Sequence, residues 1–229
     1  MWFSISAAAI APGIALLCYF YLKDKYEAEP ISMVIRLFIF GAFLVFPTML
    51  LQRALELTLG DNPFFYAFIL SAGVEECLKW LVVYYVIYKH VYFDEPYDGI
   101  VYAVALFLGF ATIENLIYSL LNFTTFSGLL FRAFLPVSAQ ALFGVMMGYQ
   151  LGKAKFNPVY KKKYLFLSLF LPFLFHGVFD YILLEIKNYW GWLIIALMLF
   201  LWARSLHSVS KANDRSPFRG VLREDDVKI

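Results

Sequence analysis

The chain has 229 residues, of which 62 % are hydrophobic, 20 % aromatic and only 16 % charged, a composition that excludes a soluble globular enzyme or a disordered chain and fits a polytopic membrane protein. A net charge of +2 is too small for nucleic-acid binding. The two cysteines, Cys18 and Cys77, both sit in apolar runs, which excludes a disulfide framework or a CxxC metal site.

Seven apolar segments, residues 1–22, 31–52, 64–88, 98–121, 129–151, 164–184 and 190–204, predict an all-α bundle of about seven transmembrane helices, since about 20 residues of helix cross the hydrocarbon core. The last segment is short. The first has neither a basic leader nor a clear cleavage site and reads as a retained helix. Helix-stopping stretches separate the segments: Lys23-Asp24-Lys25 with Pro30, Gly60-Asp61-Asn62-Pro63, Asp94-Glu95-Pro96 and Asn157-Pro158. No internal repeat is visible, so the reading is one intramembrane domain, residues 1–205, followed by a flexible cytoplasmic tail, residues 206–229, rich in Arg, Lys, Asp and Ser.

Basic residues orient the spans. Fourteen Lys and Arg fall on one side of this arrangement, including Lys23, Lys89, Lys153 and the six from Arg204 onward, whereas only Arg53 and Lys187 fall on the other. The positive-inside rule then places the amino terminus outside and the carboxyl terminus in the cytoplasm.

The third span carries Glu75 and Glu76 near its midpoint. An ionisable side chain at that depth costs about 3 kcal/mol, so it marks a functional site once partners are found. Lys79 lies four residues after Glu75, which suits a helical ion pair, but one lysine does not explain both acids. Further polar groups recur in other spans: Glu114-Asn115 in the fourth, Ser138 and Gln140 with Gly144 and Gly148 in the fifth, and His176 one turn before Asp180 in the sixth. At 1.5 Å per residue, Glu75 and Gln140 come out about 17 Å from the outer ends of their spans, Glu114 and His176 about 10 to 13 Å, and Asp180 about 6 Å. All fall in the outer half of the membrane. Pro172, four residues before His176, predicts a kink that opens a polar cavity.

Two adjacent carboxyl groups in a poorly solvated site do not both ionise cheaply, so the pair trades a proton and can draw one from water. An imidazole and a carboxamide on facing helices can hold the oxyanion that follows. No activated serine or cysteine is evident, which leaves water as the nucleophile. Glu75, Glu114 and His176 would also suit a divalent ion such as zinc, but there is no HExxH and only one intramembrane histidine, so the residues leave metal dependence open.

The set Glu75-Glu76-x-x-Lys79, Phe110-x-x-x-Glu114-Asn115 and His176-x-x-x-Asp180, with Ile10-Ala11-Pro12-Gly13 and Asp98-Gly99-Ile100-Val101-Tyr102, resembles the PrsW family of bacterial intramembrane proteases, distant relatives of the CAAX prenyl proteases. The resemblance covers the chain to about residue 205. It implies a multi-pass protein of the bacterial cell membrane that makes the first, extracytoplasmic-side cut in a single-pass anti-sigma factor, RsiW, leading to sigma-factor release in envelope stress. It assigns Glu75, Glu76 and His176 as essential, with Glu114 and Asn115 lining the site. By likeness to the prenyl proteases, Glu75 activates water while His176 and Asp180 help hold the oxyanion. One departure stands out: where the family usually has a histidine in Pro-Val-Ser-x-His, this chain has Gln140. A carboxamide donates a hydrogen bond but does not shuttle a proton. Two alternatives follow, a catalytically impaired homologue that binds substrate and, from another class, a proton-coupled transporter, although the inverted repeats and broken helix pairs expected of the latter are not visible.

Overall fold

The computed structural model describes residues 2–59, 62–121 and 126–219, and over them the chain is helical with no strand. In chain order the helices are α1 (Trp2–Tyr21), α2 (Ile31–Leu59), the single turn α3 (Pro63–Phe65), α4 (Val74–Val86), α5 (Asp98–Leu121), α6 (Phe126–Arg132), α7 (Ser138–Phe156), α8 (Lys161–Glu185) and α9 (Trp190–Asn213). A π-helical stretch, Tyr66–Gly73, joins α3 to α4, and a second, Ala133–Val137, joins α6 to α7.

Each apolar segment expected to span therefore has its helical counterpart. Five helical stretches, Ile31–Thr58, Asp98–Leu121, Leu130–Phe156, Pro158–Glu185 and Trp190–Asn213, are long and apolar enough to cross a bilayer. α1 is apolar over the shorter run Ser6–Tyr21.

The fold is built around α5, which is buried without a break from Asp98 to Thr112. Lipid tails are as apolar as leucine, so helices associate in a membrane by close packing and interhelical hydrogen bonds more than by hydrophobic exclusion. Small residues supply that closeness. Gly41 of α2 lies against the Leu106 carbonyl and Gly109 of α5 against the Phe38 carbonyl, so α2 and α5 meet backbone to backbone. Gly148 of α7 lies on the Gly99 carbonyl, and a Cβ at Gly144 would stand 3.1 Å from the Cα of Val104. The small-xxx-small pattern of the fifth span is a contact surface for α5.

The third span starts cleanly. The Asn62 side chain accepts hydrogen bonds from the amides of Phe64 and Phe65 at 2.9 and 3.3 Å, and Pro63 occupies the first turn, where its missing N–H costs nothing. The winding then widens over Tyr66–Gly73, and a Cβ on Gly73 would stand 2.9 Å from the Phe68 carbonyl five residues earlier. In the second widened stretch Pro136 cannot donate to the regular ladder, a recognised cause of such irregularity.

α9 corrects the expected end of the membrane domain. Residues 206–213 continue the helix, and its last residue, Asn213, accepts from the Lys25 amide at 3.1 Å and donates to the Lys23 carbonyl at 3.2 Å. Loss of hydropathy after Arg204 marks where the helix leaves apolar surroundings and not where it unwinds. Residues 220–229 of the expected tail lie outside the described residues. Lys155 donates to the His90 carbonyl at 3.1 Å, so the basic loops after α1, α4 and α7 and the end of α9 gather at one end of the bundle.

Gly148→Val should lower stability by about 1–3 kcal/mol or prevent folding, because α5 cannot retreat. Gly191→Ala, with nothing within 4 Å of its would-be Cβ, should be neutral. Thermal unfolding in detergent checks both.

Candidate active site among the membrane helices

The first turn of α4 places Glu75 and Glu76 four and three residues before Lys79, so all three side chains can meet on one side of the helix. The Lys79 ammonium is fully buried and donates to Glu75 Oε2 at 2.9 Å, Glu76 Oε1 at 3.1 Å and Gln140 Oε1 of α7 at 2.7 Å. Three donors meet three acceptors. The ammonium also stands 4.7 and 4.3 Å from the ring centres of Phe107 and Phe110, which gives the phenylalanine of the second motif a cation–π role.

Two carboxamides complete the shell of Glu75. Gln140 Nε2 donates to its Oε2 and Gln52 Nε2 of α2 to its Oε1, both at 3.3 Å. Glu76 is held differently. His176 Nδ1 of α8 lies 2.8 Å from Glu76 Oε1, while Glu76 Oε2 is buried without a hydrogen-bond partner. The other imidazole nitrogen is 3.4 Å from Asp180 Oδ2, an oxygen that also accepts from the Ser71 hydroxyl at 2.5 Å. The His176 ring stacks on Phe143, centroids 5.1 Å apart. Glu75, Glu76, Gln140, His176 and Asp180 thus form one connected cluster drawn from α4, α7 and α8.

The π-helical stretches contribute to bringing these residues level. Counting at the α-helical rise put Glu75 and Gln140 several ångströms deeper than His176. Both follow directly on a π stretch, where i→i+5 bonding packs more residues into each turn and shortens the path.

Glu114 and Asn115 do not both face the cluster, because neighbours on a helix diverge by about 100°. Glu114 lines a cavity of about 260 Å³ with Gln52, Glu75, Tyr118, Leu121 and Arg132, which leads from the exposed Leu121 to Glu75. Asn115 turns to α1, donating to the Ala9 carbonyl at 2.8 Å and accepting from Arg132 Nε at 2.8 Å. Its expected place lining the site gives way to a tie between helices. Cys77 is exposed on the outside of the bundle. Gln52, Phe143 and Arg132 enter the site without having been foreseen. The signal for Gln52 was a carboxamide at the last residue of an otherwise apolar segment.

The donor set also suits a divalent ion. Glu75, Glu76 and His176 each offer a ligand atom within 4.8 Å of the others, and the unbonded Glu76 Oε2 is an oxygen that such an ion would satisfy. Glu76 takes the position expected of Glu114, which does not join this group.

Carboxylates and an imidazole thus converge within apolar helices, beside a cavity, an arrangement that suits a membrane-embedded hydrolase. Residues 29–204 match the family described as "PrsW family intramembrane metalloprotease". The chain is 50 % identical over 211 residues to Protease PrsW of Geobacillus kaustophilus, an alignment covering 92 % of each chain. It is 47 % identical to Protease PrsW of Bacillus subtilis, covering 92 % of this chain and 96 % of that one, and 35 % identical to that of Clostridioides difficile, covering 96 % and 97 %. No solved structure matches. The chain belongs to the PrsW family of intramembrane proteases and is a multi-pass bacterial membrane protein.

Lys79→Met should destabilise the protein by about 3–5 kcal/mol, because it strands two buried carboxylates. Lys79→Met combined with Glu75→Gln should recover part of that loss. Thermal unfolding of the purified variants measures both, and equal stability of Lys79→Met and the parent would contradict the ion cluster.

Proposed function

We propose that this chain makes the first, extracytoplasmic-side cut in a single-pass anti-sigma factor, with a water activated by glutamate as nucleophile. The observation that carries the reading is the convergence of Glu75, Glu76 and His176 on one buried point, with Glu75 also lining a cavity. The bias of basic residues to one side supports an outward-facing site, because the cavity lies at the end of α5 remote from the basic loops.

Glu75 sits at the cavity wall and is the group that meets entering water. Its carboxylate takes one proton as the water oxygen attacks the scissile carbonyl carbon, and the C=O electron pair moves onto oxygen. His176, oriented by Glu76 at Nδ1, turns its Nε2–H from the longer 3.4 Å contact with Asp180 to that oxyanion. When the C–N bond breaks, the departing amine takes a proton from the acid pair, so the proton gained from water is returned. Lys79 and the two carboxamides fix the direction in which Glu75 points. A divalent ion held by Glu75, Glu76 and His176 would supply Lewis acidity at the carbonyl.

Gln140 stands where the family usually has a histidine, and its contacts, accepting from Lys79 and donating to Glu75, are those of a positioning group that a carboxamide can fill. They favour a competent enzyme over an inert homologue.

Co-expression with a tagged single-pass anti-sigma factor tests the proposal. Glu75→Gln and Glu76→Gln should each lower cleavage by about 100-fold or more while leaving the protein folded. Unchanged cleavage in both would defeat the mechanism. Capture of the substrate without cleavage, by the parent and by Gln140→His alike, would identify a binding homologue instead.

A further inference from the structure

A second acidic cluster lies at the other end of the bundle, where the loop after α1 meets the loop between α4 and α5. Asp98, the first residue of α5, is about 24 Å along that helix from Glu114, so this cluster takes no part in the site described above. One carboxylate oxygen each from Asp24, Glu95 and Asp98 lies within 4.8 Å of the others. Glu95 and Asp98 are fully buried. Asp98 Oδ2 is fixed by the amides of Asp94 and Glu95, both at 2.7 Å, which leaves Oδ1 facing the cluster with no hydrogen bond. Both oxygens of Asp24 and both of Glu95 are likewise buried and without a partner of bonding geometry.

Counter-charge is missing. Among the described residues no Lys, Arg or His nitrogen lies within 4.0 Å of these carboxylates, since the ion pairs of that length form elsewhere. Lys155, the basic residue of the adjoining loop, is turned to the His90 carbonyl and the Phe93 ring. A fourth carboxylate, Glu29, is buried beside the cluster and accepts from the Tyr102 hydroxyl. Burying several carboxylates with most of their oxygens unbonded and no cation within ion-pair distance is costly, so something must neutralise them.

The geometry points to a second divalent-cation site, held by Asp24, Glu95 and Asp98 and separate from the candidate catalytic centre. An all-oxygen, all-carboxylate donor set is hard and selects Mg²⁺, Mn²⁺ or Ca²⁺ over zinc or copper. The charge bias of the loops places this end in the cytoplasm, where Mg²⁺ is the abundant choice. Mg²⁺ needs only a few carboxylates, and Asp24, Glu95 and Asp98 supply three whose oxygens lie within 4.8 Å of one another. With no ion bound, burial and then repulsion from Glu95 push Asp24 up to about 8, and burial pushes Glu29 up to about 7. The Ser216 hydroxyl, beyond the end of α9, stands beside Glu95. A bound ion therefore clamps the α1–α2 loop, the start of α5 and the segment after α9 into one unit, and so fixes the end of the bundle from which α4 and α5 run to the candidate active site.

Full-length protein in lipid nanodiscs, stripped with EDTA and carrying His176→Ala so that the candidate catalytic centre does not contribute, is titrated with Mn²⁺ followed by electron paramagnetic resonance. A single saturable Mn²⁺ site displaced by Mg²⁺ is expected, with a rise in Tm of several degrees on adding Mg²⁺. Glu95→Gln and Asp98→Asn should each weaken Mn²⁺ binding at least about tenfold. Should Asp98→Asn fail to fold, because Asp98 also holds the start of α5, Glu95→Gln carries the test, since no backbone amide is bonded to its carboxylate. Absence of saturable binding, or equal binding in parent and Glu95→Gln, overturns the site. So does a gain in Tm on Glu95→Gln with no Mn²⁺ binding by the parent, which would mean that the carboxyls share protons instead.

Discussion

An ammonium group without water around it must find acceptors for all three of its protons, and in this protein the acceptors of Lys79 are Glu75, Glu76 and Gln140. That requirement ties the first turn of α4 to the first turn of α7 and, through Glu76, to His176 of α8. Buried ion pairs seldom stabilise a fold relative to an apolar core of the same shape, because removing both charges from water costs about as much as their attraction returns. What such a pair does is penalise every arrangement in which it is broken. The aromatic faces of Phe107 and Phe110 and the stacking of Phe143 on His176 close the remaining sides. The polar cluster and the central packing of α5 against α2 and α7 are therefore one construction, since α5 carries both the glycine contacts and the two rings that cover Lys79.

The same construction leaves reactive capacity over. Glu75 accepts from Lys79, Gln140 and Gln52, which fixes its direction and leaves acceptor capacity on Oε1 for water, whereas Glu76 keeps one oxygen unbonded in a buried place. A structural salt bridge would gain from filling that vacancy with a donor. The two π-helical stretches belong to the same account. They bring Glu75 and Gln140 closer to the level of His176 at the expense of regular winding, and such irregularities are frequent at functional sites.

Much of this was legible in the residues. Apolar runs of membrane-spanning length located the helices, and i,i+3 and i,i+4 spacings put Glu75, Glu76 and Lys79 together and His176 near Asp180. Three features were not. Asn115 follows Glu114 directly and shares its motif, but helical geometry sends it to Ala9 and Arg132 instead, and adjacency in a motif does not carry that information. The extension of α9 to Asn213 was hidden because hydropathy reports surroundings, and the last turns of this helix are polar yet tied by Asn213 to the Lys23–Lys25 loop. The meeting of Asp24 with Glu95 and Asp98 joins loops about 70 residues apart, and neither loop alone differs from an ordinary charged break between spans.

The central claim is that Lys79 is enclosed between the two glutamates within the lipid-embedded fold. Solid-state NMR of ¹⁵N-lysine, ¹³C-glutamate protein in bilayers measures it directly, through the dipolar coupling between the lysine Nζ and glutamate carboxyl carbons, with Lys79→Met identifying the signal. Nζ-to-oxygen separations of 2.9 and 3.1 Å predict a strong coupling to two carboxyl carbons that disappears in Lys79→Met. A Lys79 signal with no carboxyl coupling would show that the ammonium points to water or headgroups, and the account would be wrong.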